Sequence, residues 1–120
     1  MSRELGVARL LAALERSDVR GVAATLSARA RLLHDAGDAT GGEARGRAGV
    51  ARALVGIRMR FPAAEVHPAR VNGAPGGVIR TIAGQVVAVI ALGGSPRIRD
   101  LWVTTAEYKL ERWQLPRALS

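Results

Sequence analysis

Residues 86–92, VVAVIAL, form an unbroken apolar run closed by turn residues on both sides, Gly84-Gln85 before it and Gly93-Gly94-Ser95-Pro96 after it. Seven residues are short for a buried helix and suit a strand covered on both faces. Such a strand needs a neighbour on each edge and a layer on each face, which restricts the chain to a layered architecture. Neighbours are at hand. AEVHPARV (64–71), VIRTIA (78–83) and RIRDLWVTT (97–105) flank the run. The links are short, and short links join antiparallel strands, so four strands in a meander are expected with 86–92 central. Asn72-Gly73 is a strong hairpin signal, with Ala74-Pro75-Gly76-Gly77 lengthening the loop. Pro68 marks its strand as an edge or a bulge, because proline donates no ladder hydrogen bond.

The first half reads differently. Val7, Leu10, Leu11 and Leu14 recur at helical spacing within residues 4–16. Ser17-Asp18 offers capping oxygens for a second short helix carrying Val19, Val22, Ala23 and Leu26. RARLLH (29–34) reads as a strand, and the Gly- and Asp-rich stretch 35–49 as a loop. Residues 47–60 return to helical spacing with Val50, Leu54 and Ile57, and Phe61-Pro62 ends that helix. Helices segregated to one side of a curled antiparallel sheet make an α+β layout.

Composition removes several function classes. The chain of 120 residues suits a single domain, 1–120. It has no cysteine, so disulfides, thiolate nucleophiles and cysteine-based zinc sites are excluded. No apolar run approaches the roughly 20 residues of a membrane span, and Glu4, Arg9, Glu15 and Arg16 interrupt the opening segment where a signal peptide needs an apolar core. A cytoplasmic location and no membrane partner are expected. The net charge of +8 raises the question of nucleic acid. However, 17 of the 18 basic residues are arginine, scattered from Arg3 to Arg117 beside abundant alanine and glycine, as a GC-rich coding sequence produces. Four aromatics are too few for a base-stacking platform, so nucleic acid is not an expected partner.

Specific residues add a resemblance. Arg70-Val71-Asn72-Gly73-Ala74-Pro75-Gly76, then an apolar strand, Gly84 and VVAVIAL, and a final strand beginning Arg97-Ile98, resemble the SnoaL-like domain at the C-terminus of certain bacterial extracytoplasmic-function sigma factors. Gly46-Arg47-Ala48-Gly49-Val50-Ala51-Arg52 is similar to that family's G-x-x-x-V-A-R helix, and Lys109-Leu110 to the end of its N-P-D-K-L segment. The resemblance covers nearly the whole chain. It implies a nuclear-transport-factor-2-like fold: a cone-like curved antiparallel sheet with the N-terminal helices packed on its concave face. No sigma regions precede the domain in this sequence, so promoter recognition is not expected.

In enzymes of this superfamily an acid or histidine in the cone transfers protons. His34-Asp35, at the end of the first strand, would stand at the mouth of such a pocket, with Asp38 close by. A carboxylate in an apolar cone can be pushed up to where it works as a general base. Asp beside Gly is equally at home capping a loop. Asp100 and Trp102 share a face of the last strand, either lining the cone as an acid-and-aromatic wall or facing outward, where Asp100 pairs with an arginine across the sheet. His34 and His67 carry no metal-ligand spacing, Pro75-Gly76-Gly77 precedes a strand rather than a helix, and no nucleophile motif is present. Neither metal nor cofactor is therefore expected.

Two functions fit. One is a non-catalytic module that binds a small apolar ligand or a partner protein and regulates. The other is a cofactor-independent isomerase, dehydratase or cyclase working by general acid–base catalysis. The fold permits both. The cavity is expected between the sheet and the helices of residues 4–26 and 47–60, because Ala12, Ala13, Ala23, Ala24, Ala51 and Ala53 fill space poorly. A homodimer through the outer sheet face, with Trp102 or Leu101 at the interface, is also expected.

Overall fold

The structure, a computed structural model, describes residues 2–114. The chain runs α1 (Arg3–Glu15), α2 (Val19–Ala24), β1 (Leu26–Asp35), β2 (Gly42–Arg45), α3 (Gly46–Met59), β3 (Glu65–Val71), β4 (Ala74–Arg80), β5 (Val86–Gly93), β6 (Ile98–Thr104) and α4 (Glu107–Leu110), which passes into a 3₁₀ turn at Glu111–Trp113. It is an α+β fold. The first two helices begin at side-chain caps: Ser2 Oγ accepts from the Leu5 N–H, and Asp18 Oδ1 accepts from that of Gly21 at 3.0 Å. Ser17 instead takes the left-handed bend between α1 and α2, at φ 53°.

The six strands lie in the order β2-β1-β6-β5-β4-β3. The four-strand meander β3 to β6 is antiparallel throughout, as expected, and Pro68 sits on the edge strand. One pair departs from an all-antiparallel sheet. β1 runs parallel to β6, with Leu33 opposite Trp102 and Asp35 opposite Thr104. The link between them contains β2, α3 and the first three strands of the meander, long enough to bring the chain back in the same direction.

Two local expectations are corrected. Asn72-Gly73 closes a two-residue hairpin with both φ angles positive (52° and 78°), and Ala74 pairs with Val71 at once, so Ala74–Gly77 is strand and not loop. Gly76 and Gly77 are there for close approach. A Cβ on Gly76 would lie 2.5 Å from the Ile90 carbonyl oxygen, and one on Gly77 2.6 Å from Leu11 Cδ2. The strand ends at Arg80, and Thr81–Gly84 forms the turn. The stretch 35–49 is also more than loop. It contains β2, which pairs antiparallel with β1, and the start of α3.

The core has two sides. On the helix side Leu10 and Leu14 of α1, Val50 and Leu54 of α3, Leu32, Ile79, Ile90, Leu101 and Val103 are all buried in one cluster. On the other side Val71, Val78, Val86 and Val89 lie under Leu110, with Trp113 against them. Both faces of VVAVIAL are thus covered. Its alternation is reset by a bulge, since Ile79 faces Ala88 while Arg80 faces Val86. The second cover is the C-terminal segment α4 and its 3₁₀ turn. It is fastened by the Gln114 side chain, whose amide oxygen accepts from the Val86 N–H and whose amide nitrogen donates to the Val86 carbonyl, both at 2.9 Å. The tail AEYKLERWQLPRALS (106–120) predicts a helix broken by Pro116, a position that lies outside the described residues.

Candidate functional site

Strand alternation decides what His34 and Asp35 can do together. His34 pairs with Val103, which is buried toward the helices; Asp35 pairs with Thr104, on the opposite face. Neighbours in sequence, they therefore point to opposite sides of the sheet. His34 Nε2 is hydrogen-bonded to Thr105 Oγ1 at 2.9 Å. Burial, and then the nearby Arg60 charge, push its pKa down, so it is neutral near pH 7.

Asp35 is tied on both oxygens. Oδ1 accepts from the Gly37 N–H at 3.0 Å, and Oδ2 accepts from the Lys109 ammonium. The lysine hydrogen bond first, and the Gly37 bond second, hold its carboxyl below the usual carboxylate range. Lys109 is raised in turn, chiefly by Asp35. Asp38 is a loop former: its Oδ1 accepts from the N–H and the hydroxyl of Thr40, at 2.8 and 2.6 Å. His34, Asp35 and Asp38 do not converge on one cavity.

Asp100 and Trp102 lie on the face away from the helices, because Leu101 and Val103 take the helix side. Asp100 meets Arg31 across the sheet at 4.0 Å, with both side chains more than half exposed. Trp102 is 48% exposed, whereas Leu101 is 3% exposed and cannot stand at an interface. His67 pairs with Glu65 at 3.4 Å, and among the described residues no three potential ligands cluster for a metal.

Two adjoining hollows open on this outer face. The larger, about 670 Å³, has a floor of Val71, Val89 and Ala91. Trp102 and Thr104 bound it on one side, and Tyr108, Lys109, Glu111, Arg112 and Trp113 of the C-terminal segment on the other, with Asn72 at the end. The smaller, about 430 Å³, lies beyond Trp102 over Arg31, Leu33, Glu43 and Asp100. Three of the chain's four aromatics thus surround the larger hollow. The Lys109 ammonium stands 5.6 Å from the Tyr108 ring centroid and 6.0 Å from that of Trp102, within cation–π range.

The hollows lie across the sheet from where a cavity was expected. On the helix side Leu10, Leu14 and Leu54 are fully buried and occupy the centre, while Ala12 and Ala24 face solvent. Lys109, Tyr108, Arg112 and Trp113 were not among the expected site residues. Their signal was present: a lone lysine among seventeen arginines, with three aromatics inside residues 102–113.

No protein-family model matches the sequence, and no curated protein matches it. Solved structures do match. The extracytoplasmic function sigma factor SigJ of Mycobacterium tuberculosis superposes with a TM-score of 0.66 at 23% identity, over 91% of this chain and 44% of the longer one. A protein of Agrobacterium tumefaciens C58, described as a proposed isomerase of the SnoaL-like family, gives 0.56 at 18% identity, covering 87% of this chain and 97% of its own. An NTF2-like protein of Burkholderia xenovorans LB400 gives 0.57 at 17% identity, covering 96% and 98%. The chain has the SnoaL-like, nuclear-transport-factor-2-like fold. At these identities the likeness is one of fold, and function rests on the site.

Proposed function

We propose that this chain is a binding module whose larger outer-face hollow receives a small, mainly apolar molecule bearing a flat ring. One observation carries the reading: an apolar floor, three aromatic walls and the sole lysine come together in one concavity from strands and a segment distant in sequence. Apolar concave walls with a few placed polar groups are the usual make-up of small-molecule sites. The alternative, a cofactor-independent isomerase, dehydratase or cyclase, is best served, where a carboxyl is the base, by one that holds its proton more tightly than usual. The Lys109 hydrogen bond moves Asp35 the other way, which weakens it as a base.

Self-association is part of the same proposal. Leu33 and Trp102 are direct partners across β1 and β6, and each is 48% exposed. A second copy seated on this pair would leave the larger hollow on its flank. A cytoplasmic setting completes the reading.

A panel of small aromatic molecules in a thermal-shift assay tests the ligand claim. A ligand at a hundred times its Kd adds about 2.7 kcal/mol to the folded state. At least one ring compound should raise Tm, and Trp102→Ala should abolish the rise. A rise that survives Trp102→Ala would move the site elsewhere.

A further inference from the structure

Six arginines gather where β1, β2 and β6 meet the first turn of α3. Arg31 on β1 and Arg45 on β2 are direct partners in the ladder, and Arg29 stands two residues before Arg31 on the same face. Arg97 and Arg99 flank Ile98, which pairs with Leu26 at the start of β1. Arg47 reaches the same place from α3, its Nε donating to the Leu26 carbonyl at 2.9 Å. Arg47 and Arg97 have structural work, the latter donating to the Ala24 carbonyl at 2.7 Å. Arg31 has Asp100. Among the described residues Arg29, Arg45 and Arg99 have no carboxylate partner, and all three are exposed. Like charges directly opposite on neighbouring strands weaken a sheet. The Arg31–Arg45 pair thus costs the fold stability, and folding gives no reason for it.

β2 ends the strand order and pairs with β1 alone, so its outer N–H and C=O groups face no strand. We propose that this rim docks an extended acidic segment of a partner protein, which adds as a strand to β2 and sets a carboxylate against Arg45 and Arg31. The free strand edge favours a polypeptide over a nucleic acid, which cannot extend a sheet. A single aromatic, Trp102, stands beside the rim, which is no base-stacking platform; Tyr108 and Trp113 line the larger hollow and Phe61 follows the far end of α3. Alternate side chains of an added strand lie about 7 Å apart on one face. The next position on that face of β2 is Glu43, so the segment carries an acid opposite Arg45 and an uncharged side chain opposite Glu43.

The probe is a fluorescein-labelled heptapeptide of valine and threonine with glutamate at positions 2 and 6 and valine at position 4, so that a glutamate opposite Arg45 leaves the central valine opposite Glu43, read by fluorescence anisotropy at low salt. Arg45→Glu should weaken binding at least fivefold. Arg70→Glu makes the same change in net charge on the opposite edge strand and should leave binding nearly intact. Replacing the central valine of the peptide with proline should abolish binding, and hydrogen exchange should slow at residues 42–45 in the complex. Circular dichroism confirms that both variants fold. No binding, equal losses in the two variants, or tighter binding to a single-stranded oligothymidylate of matching length would each overturn the proposal.

Discussion

Asp35 shows how far one residue's role depends on which way a strand turns it. Next to His34 in sequence, it bonds to Lys109, 74 residues away, on the other face of the sheet. The pH behaviour follows from the two shifts. A carboxyl whose folded pKa is depressed lends stability that is present above its unfolded pKa and lost as pH falls through the folded value. An ammonium whose folded pKa is raised lends stability that is present below its unfolded pKa and lost as pH rises through the folded value. Between about pH 5 and 9 both contributions stand. The Tm difference between wild type and Asp35→Asn should therefore be flat there, shrink in acid below the ordinary carboxylate range, and shrink in alkali above the ordinary lysine range. A difference that held constant down to about pH 2 would show that the ion pair contributes nothing.

At the scale of elements, the C-terminal segment walls the larger hollow on one side. It holds Val86 through both amide atoms of Gln114 and covers the outer valines with Leu110. Gln114→Leu removes two partly buried hydrogen bonds, at roughly 0.5–1.5 kcal/mol each. The expected result is faster amide exchange at Val86 and along the segment, with exchange in α1 and α3 little changed; equal acceleration everywhere would mean that the segment is integral to global stability. Helix faces and the meander were legible because Leu10, Leu14, Val50, Leu54 and VVAVIAL carry periodicities that only one packing satisfies. β2 was not, because four residues, GEAR, are too few for a pattern to emerge from a Gly-rich stretch. The start of β4 was missed because Pro75-Gly76-Gly77 looks like a turn until Ile90 and Leu11 are known to press against it. The β1–β6 pairing, and with it the facing of Asp35, depends on strands far apart in sequence, which local pattern does not record.

For the whole molecule, the sheet has one face covered by helices and one face half covered, and both hollows open on the second. Sedimentation velocity at micromolar concentration should find a dimer, and Leu33→Lys should shift it to monomer by placing a charge beside Trp102. A wild-type monomer across that range would leave the exposed Leu33–Trp102 pair to another partner. The central claim is that ligands enter from the outer face and not between sheet and helices. Backbone amide NMR of labelled protein titrated with 2-naphthylmethanol, a neutral flat-ring probe, tests it most directly. The expected shifts concentrate at Asn72, Ala91, Thr104 and Lys109. Shifts concentrated at Leu10, Ala51 and Leu54, on the helix side of the core, would contradict it.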